Sequence, residues 1–334
     1  MRWLVTGGLG FIGSYFIDLV LRERPDTEIV NFDAMTYAGN PANCAHLEGN
    51  PRYRFIKGDI CDREAVAAAI GEGVDAIVNF AAETHVDRSI LDPEAFLRTD
   101  VFGTHVLLEA VRVLKVPRYL QVSTDEVYGH VEEGESFETD ALRPRSPYSA
   151  SKAAAELMVF AYHTTYDAPV LITRGSNTYG PRQYPEKLIP LFITNLLDGI
   201  PVPVYGDGMQ VRDWIHVEDH ARAILCVLER GEPGEAYNVG GGECRTNLSV
   251  VNGLLHGCGR VAETHLRHVA DREGHDRRYA MNCAKTHRLG WSADVGFERG
   301  MRDTIEWYRS NESWWRPLKT GEFLRYYEAQ YAHR

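Results

Sequence analysis

The 334-residue sequence predicts an α/β protein built on a doubly wound parallel sheet, with a smaller C-terminal substrate-binding lobe. Three observations carry this reading. Short apolar runs alternate with helical patterns through the first half, a glycine run sits where the first strand meets the first helix, and the alternation loosens after Gly180 and Pro181. The expected division is residues 1–175 for the sheet domain and 176–334 for the lobe, with some later segments returning to the sheet.

Arg2 to Thr6 reads as a strand, and Phe11 to Arg24 as a helix with Ile12, Phe16, Leu19 and Val20 at helical spacing. Further strands are expected at Glu28 to Asp33, Tyr53 to Lys57, Ala76 to Phe80 and Arg118 to Ser123, with helices at Arg63 to Ile70 and Pro93 to Leu114. Crossovers of this kind are right-handed and give a parallel sheet of Rossmann type. Ser146 is a good N-cap and Pro147 suits a first helical turn, so a long helix is predicted to Tyr166, with Ala153, Leu157, Phe160 and Ala161 as its apolar stripe. A buried strand, Val170 to Arg174, follows. Helices at Leu188 to Leu197, Glu218 to Arg230, Leu248 to Leu255 and Glu298 to Ser310 complete the lobe.

Composition removes several functional classes. With 36 Lys+Arg against 47 Asp+Glu, a formal charge of -11 and no basic block, nothing invites a nucleic-acid backbone. The six cysteines are scattered with no Cys-x-x-Cys pair, which fits reduced thiols in the cytoplasm and no structural metal. The glycine run starts within the first ten residues, leaving no room for a signal peptide, and no apolar run approaches the roughly 18 residues of a spanning helix. A soluble protein with no membrane partner is expected.

Gly7, Gly10 and Gly13 form Gly-x-x-Gly-x-x-Gly at a strand-to-helix turn, where bare backbone can approach a pyrophosphate on the helix N-terminus. Asp33 ends the second strand about 20 residues on, placed to bind the adenosine ribose hydroxyls of NAD. No Arg or Lys occurs in Ala34 to Asn40 to receive a 2′-phosphate, so NAD is favoured over NADP. Tyr148 and Lys152 lie four apart on one helix face, where an ammonium is expected to lower the phenol's pKa and make it a base. Tyr53 and Lys57 share that spacing but fall in a strand, where four residues span roughly 13 Å. Thr124, Asp125 and Glu126 follow a strand at its carboxyl end, where ligands sit in open α/β sheets. Two adjacent carboxylates in one mouth can split into an acid and a base.

Beyond these signals lies a family likeness. The glycine run, Asp33 to Asn40, Ala81 to Ile90, Thr124-Asp125-Glu126, the Tyr148/Lys152 pair and Pro185 to Pro190 together resemble the dTDP-glucose 4,6-dehydratases, extended short-chain dehydrogenases/reductases. The likeness continues through Arg212-Asp213-Trp214 and Gly274 to Tyr279 to Asn311-Glu312-Ser313-Trp314-Trp315. It implies a redox elimination on a nucleotide sugar, with NAD regenerated in each turnover. Tyr148 would take the 4-hydroxyl proton, Lys152 would hold the phenolate and the nicotinamide ribose, and Thr124 would bind the 4-oxygen. Glu126 would remove the C5 proton and Asp125 would protonate the departing 6-hydroxyl.

The same resemblance puts NAD against Gly7, Gly10, Phe11, Ile12, Gly13, Asp33, Thr36, Asp59, Ile60, Ala81, Ala82, Thr99, Tyr148, Lys152 and Thr178. It puts the nucleotide sugar against His85, Thr124, Asn177, Glu186, Lys187, Arg212, Asn247, Arg272, His275 and Tyr279, Arg212 being suited to a phosphate. The helices Pro93 to Leu114 and Pro147 to Tyr166 resemble the pair that makes a four-helix homodimer interface. Thr178 and Asp100 stand where the family usually has Asn, Glu273 replaces a common Pro, and Arg182-Gln183-Tyr184 departs from the usual loop. A UDP-sugar 4,6-dehydratase, a UDP-sugar decarboxylase or a 4-epimerase would share the fold, cofactor and Tyr/Lys pair. Of the decarboxylase, the 4-epimerase and the 4,6-dehydratase, only an elimination enzyme has a use for an acid at Asp125. A dinucleotide-sensing regulator would have no use for Tyr148, Lys152, Asp125 and Glu126.

Overall fold

The computed structural model describes residues 1–271 and 274–331. Its strands are β1 (Arg2–Thr6), β2 (Glu28–Asp33), β3 (Tyr53–Lys57), β4 (Ala76–Asn79), β5 (Tyr119–Thr124), β6 (Val170–Gly175), β7 (Asn177–Tyr179), β8 (Val202–Tyr205), β9 (Val211–His216), β10 (Ala236–Val239), β11 (Cys244–Thr246) and β12 (Leu266–Val269). Seven of them make one sheet in the order β10-β6-β5-β4-β1-β2-β3, with every pairing parallel. The inner strands are buried along nearly their whole length because both faces are covered, whereas the edge strand β3 is largely exposed. Val5, Ile29 and Val78 pack toward the helices Phe11–Glu23 and Val217–Arg230, while Leu4, Val30 and Ile77 pack toward Arg63–Ile70, Thr104–Leu114 and Pro147–Tyr166.

Two elements from beyond residue 175 belong to this layer: β10 pairs with β6, and Val217–Arg230 packs on Phe11–Glu23. The remaining lobe holds the three-stranded sheet β11-β9-β7, the pair β12-β8 and a separate core around Phe192, Leu254, Met301, Ile305 and Trp315. Connections leave β1 in opposite directions toward β2 and β4, and the resulting crevice at the strands' carboxyl ends faces the lobe. Among the described residues no helix is long and apolar enough to cross a membrane.

Two expectations need correction. The helix foreseen from Pro93 to Leu114 is Pro93–Phe96, a π-wound turn Leu97–Gly103 and Thr104–Leu114, and a further helix, Val86–Leu91, precedes it. Gly103 sits hard against the side chain of Ile60, and the wide turn brings Thr99 to the cleft and buries Asp100 beside Ser151. The helix Pro147–Tyr166 has its Ser146 cap as expected, but Leu157 and Ala161 point outward, Leu157 being 60% exposed. Its inner face is taken by Tyr148, Ser151, Lys152 and Glu156 instead.

Candidate active site

One cavity of ≈ 320 Å³ runs along the crevice, and Gly7, Gly10, Phe11, Ile12, Gly13, Asp33, Thr36, Asp59, Ile60, Ala81, Ala82, Thr99, Tyr148, Lys152 and Thr178 all line it. Gly7 adopts φ +68°, and a Cβ there would come within 2.5 Å of the Ala81 amide nitrogen, so the first turn admits only glycine. Gly10 donates its amide to Gly7 O at 3.1 Å and opens the helix Phe11–Glu23, whose N-terminal amides face the cavity floor. Asp33 Oδ2 accepts from the Leu9 amide at 2.9 Å and Oδ1 from Met35 at 2.7 Å, which fixes the carboxylate and leaves each oxygen a second lone pair. Glycine cradle, helix terminus and anchored carboxylate fit a dinucleotide with free ribose hydroxyls.

Farther along, Thr124, Asp125 and Glu126 leave β5 on a tight turn, and Tyr148 and Lys152 face them from the helix Pro147–Tyr166. The Thr124 hydroxyl donates to Asp125 Oδ1 at 3.2 Å, accepts from the Glu126 amide at 3.3 Å, and hydrogen-bonds the Tyr148 phenol. Asp125 is fully buried, with Oδ2 left without a partner. Burial, then the neighbouring Glu126 charge, pushes its carboxyl up to about 8, against the opposing pull of Arg212. A carboxylic acid in that state holds a proton to give.

The expectation for Tyr148 is reversed. Burial first, then the charges of Glu126 and Asp100, hold the phenol well above its ordinary value, with only the Thr124 hydrogen bond among the leading influences acting downward. Phe96 meets the ring edge-on at 6.2 Å and helps to dry it. Lys152 Nζ donates to Val122 O at 3.2 Å rather than governing the phenol. The predicted alternate pair, Tyr53 and Lys57, lies in β3 as read, and neither residue lines the cavity.

A second arm joins the first through Thr84, Glu126, Asn177, Glu186 and Lys187, which line both. His85, Arg212, Asn247 and His275 line the second arm. Glu186 is buried and accepts from Arg88 Nε at 2.8 Å, and Lys187 Nζ donates to Thr84 O. Asn247 Oδ1 is buried with no hydrogen-bond partner, at the end of the β11–β9 pair that also carries Arg212. Tyr279 stands behind the wall: the Arg212 guanidinium lies 4.2 Å from its ring centroid, and its hydroxyl donates to Asp276 at 2.7 Å. Arg272 and Glu273 lie outside the described residues.

With this geometry in place, the chain was compared with known proteins. The family model described as GDP-mannose 4,6 dehydratase matches residues 4–304. A dTDP-glucose 4,6-dehydratase from Streptomyces niveus is 49% identical over 325 residues, 96% of each chain. The chain belongs to this family. DesIV, the dTDP-glucose 4,6-dehydratase of Streptomyces venezuelae solved with NAD and TYD bound, superposes with a TM-score of 0.93 at 50% identity, covering 96% of this chain and 100% of that one. A UDP-glucose 4-epimerase from Thermus thermophilus in complex with NAD gives 0.86 at 33% identity, covering 93% and 100%.

The cleft of this 4,6-dehydratase family member holds residues that sequence reasoning did not single out. Glu83 lines it with a carboxyl pushed up to about 7, by burial and then by Asp100, whose Oδ1 accepts the Glu83 amide at 2.9 Å. Tyr205 lines the far arm, 6.1 Å from His275 between ring centroids, and donates to Asp87 at 3.2 Å. His220 reaches the cleft from the start of Val217–Arg230. None belongs to a local spacing pattern; Glu83 adjoins the Ala81-Ala82 pair, and that adjacency was the one usable signal.

Proposed function

We propose that this chain converts dTDP-glucose into dTDP-4-keto-6-deoxyglucose and water, with NAD as a cofactor restored in each turnover. The observation that carries the reading is the fully buried Asp125, its carboxyl pushed up to about 8, beside Glu126, both on one cavity wall with Tyr148 and Lys152. An epimerase, which only moves hydride to and from C4, has no step for that acid.

Bound NAD supplies a hydride acceptor at C4 and later a donor at C6. Gly7, Gly10 and Gly13 hold its pyrophosphate, Asp33 its adenosine ribose, and Lys152 its nicotinamide ribose. The positive charge of a bound nicotinamide and of Lys152 would draw the phenol's pKa down on cofactor binding, so that Tyr148, as phenolate, accepts the 4-hydroxyl proton, with Thr124 holding the 4-oxygen. The 4-ketone acidifies C5, whose proton passes to Glu126. Asp125 gives its proton to the departing 6-oxygen, which leaves as water, and Glu126 returns its proton to C5 once C6 has been reduced. The Thr124 hydroxyl, bonded to both Tyr148 and Asp125, is the path by which the proton gained by the phenol re-arms the acid. Arg212, His275 and Asn247 bind the diphosphate and base end, with Tyr279 holding Arg212 in place.

The reading also takes the chain to be a cytoplasmic homodimer. Leu97, Phe102, Val113, Leu157 and Tyr166 are large apolar side chains exposed on the helices Thr104–Leu114 and Pro147–Tyr166 and the π turn, surface that a second copy of the chain would cover. The dispersed cysteines fit a reducing compartment.

The deciding experiment follows a label. Deuterium at C4 of dTDP-glucose is expected in the C6 methyl group of the product, and in heavy water one solvent deuteron is expected at C5. Recovery of a C4 epimer, or of a product keeping its 6-hydroxyl, overturns the reading, and parallel runs with UDP-glucose and UDP-N-acetylglucosamine assign the nucleotide.

A further inference from the structure

His220 is the fourth residue of Val217–Arg230, a helix that packs on Phe11–Glu23. Its ring is buried, 2% exposed, and wedges against the end of β6, where a Cβ at Gly175 would come within 2.7 Å of Nε2. Gly175 pairs in register with Thr124, so the strand end that the ring abuts lies one strand spacing, roughly 4.8 Å, from the end of β5. Its Nδ1 meets the Thr178 hydroxyl at 2.7 Å, and that hydroxyl donates to Ser176 O at 3.2 Å. A hydroxyl has one proton, so Thr178 accepts from Nδ1–H and Nε2 carries the lone pair. Burial keeps the ring neutral, its pKa lowered to about 4. Nε2 has no hydrogen-bond partner.

An orphaned buried nitrogen destabilises the fold, and an apolar side chain of similar volume would pack at this place without that cost. The imidazole therefore has a use at its other nitrogen. Thr178 and His220 both line the cleft on the β5–β6 side of the switch point, the side away from Asp33. In a doubly wound sheet the two halves of a dinucleotide lie on opposite sides of that point, and Asp33 has the adenosine half.

We propose that His220 is a positioning residue for the nicotinamide half of the cofactor: it fixes the Thr178 hydroxyl, and through it the β6–β7 turn Ser176–Thr178, against which that half is seated. The inference rests on the NAD-dependent reading of the cleft and assigns a residue to it that the family motifs did not.

The test compares two ligands that differ only in the nicotinamide. Purified, NAD-loaded protein is challenged with increasing ADP-ribose, and displaced NAD is measured in the ultrafiltrate, which yields the ratio of the two affinities. His220→Leu is expected to shift that ratio roughly tenfold toward ADP-ribose, as expected for losing about one hydrogen bond, while thermal stability is unchanged or raised. His220→Asn, which keeps a side-chain donor near Nδ1, is expected to restore most of it. Thr178→Val should give a similar shift, and the double variant His220→Leu/Thr178→Val should add little to either. An unchanged ratio in both single variants overturns the proposal, as does equal weakening of NAD and ADP-ribose, which marks a packing role. If His220→Leu does not fold, Thr178→Val with an unchanged ratio overturns it alone. Failure of the wild-type protein to hold NAD would instead strike the functional reading beneath it.

Discussion

Arg174 and Glu156 form an ion pair sealed from solvent on the inner side of the catalytic helix: Glu156 Oε2 accepts from Arg174 Nε at 2.9 Å and from Nη2 at 2.7 Å, with the side chains 2% and 0% exposed. The remaining Arg174 nitrogen, Nη1, donates to the Tyr128 hydroxyl at 2.6 Å, and Tyr128 ends the turn that carries Asp125 and Glu126. One guanidinium thus joins β6, the helix bearing Tyr148 and Lys152, and the turn bearing the two carboxylates. Asp125 and Glu126 are held in register with Tyr148 and Lys152 by a group that touches neither carboxylate.

Removing one partner of a sealed pair strands the other charge. Glu156→Ala is expected to lower unfolding free energy by roughly 3–5 kcal/mol in urea titrations. A loss under about 1 kcal/mol, in the range of exposed pairs, would show that Arg174 finds another anion or water.

Asp33 is expected to set cofactor choice, because its carboxylate is anchored by two backbone amides and cannot turn away from a 2′-phosphate. Asp33→Ala should weaken NAD roughly ten- to a hundredfold, the range for losing hydrogen bonds to a charged group, and narrow the preference over NADP. Competition between the two dinucleotides measures both effects. Equal binding of NAD and NADP by the wild-type protein would remove the assignment.

The two carboxylates should fail at different steps. With Glu126→Gln, solvent exchange at C5 is expected to vanish while substrate still reduces the bound cofactor, visible as absorbance near 340 nm in a single turnover. With Asp125→Asn, C5 exchange is expected to continue while water loss slows by roughly 10²–10⁴. Identical loss of the first hydride transfer in both folded variants would refute the division of labour.

Asp125 also fixes the pH behaviour. Its carboxyl titrates near 8 in the folded chain, against 3.8 as the ordinary value, so between those limits the folded state binds the extra proton. Stability supplied by this group is full below pH 3.8 and is lost as pH rises through about 8. Since the acid must be protonated, kcat/KM is expected to fall on the basic side near pH 8, and Asp125→Asn should flatten that limb and raise the melting temperature at pH 9. The groups facing it are Glu126, Arg212, Asp213 and Thr124, and Glu126 adds to the upward shift.

Six of the sheet's seven strands were legible in the sequence to within a residue or so, as short runs between breakers, but β10 was not, because a four-residue strand that returns to the sheet from far along the chain has no local alternation of strand and helix to mark it. Asp125 and Glu126 were legible because a strand end followed by paired acids is local. The π turn at Leu97–Gly103 was not, since it arises from the close seat of Gly103 on Ile60, a contact across the fold. Nor was His220, which meets Thr178 across 42 residues of sequence. The error over Tyr148 had a different source: helical spacing locates Lys152 beside the phenol, but spacing carries no information on burial, and burial dominates that group.

The position of β10 has a consequence for synthesis. Residues 236–239 close the edge of the sheet beside β6, yet the sixty residues 176–235 must be made first, including most of the segments that shape the second arm of the cleft. A nascent chain that has emerged only to the end of β6 therefore carries Val170–Gly175, a strand buried throughout in the finished sheet, with its outer edge unpaired. Ribosome-bound chains ending between residues 176 and 235 should be the ones that chaperones hold and proteases cut, and resistance should appear abruptly once residue 239 clears the exit tunnel.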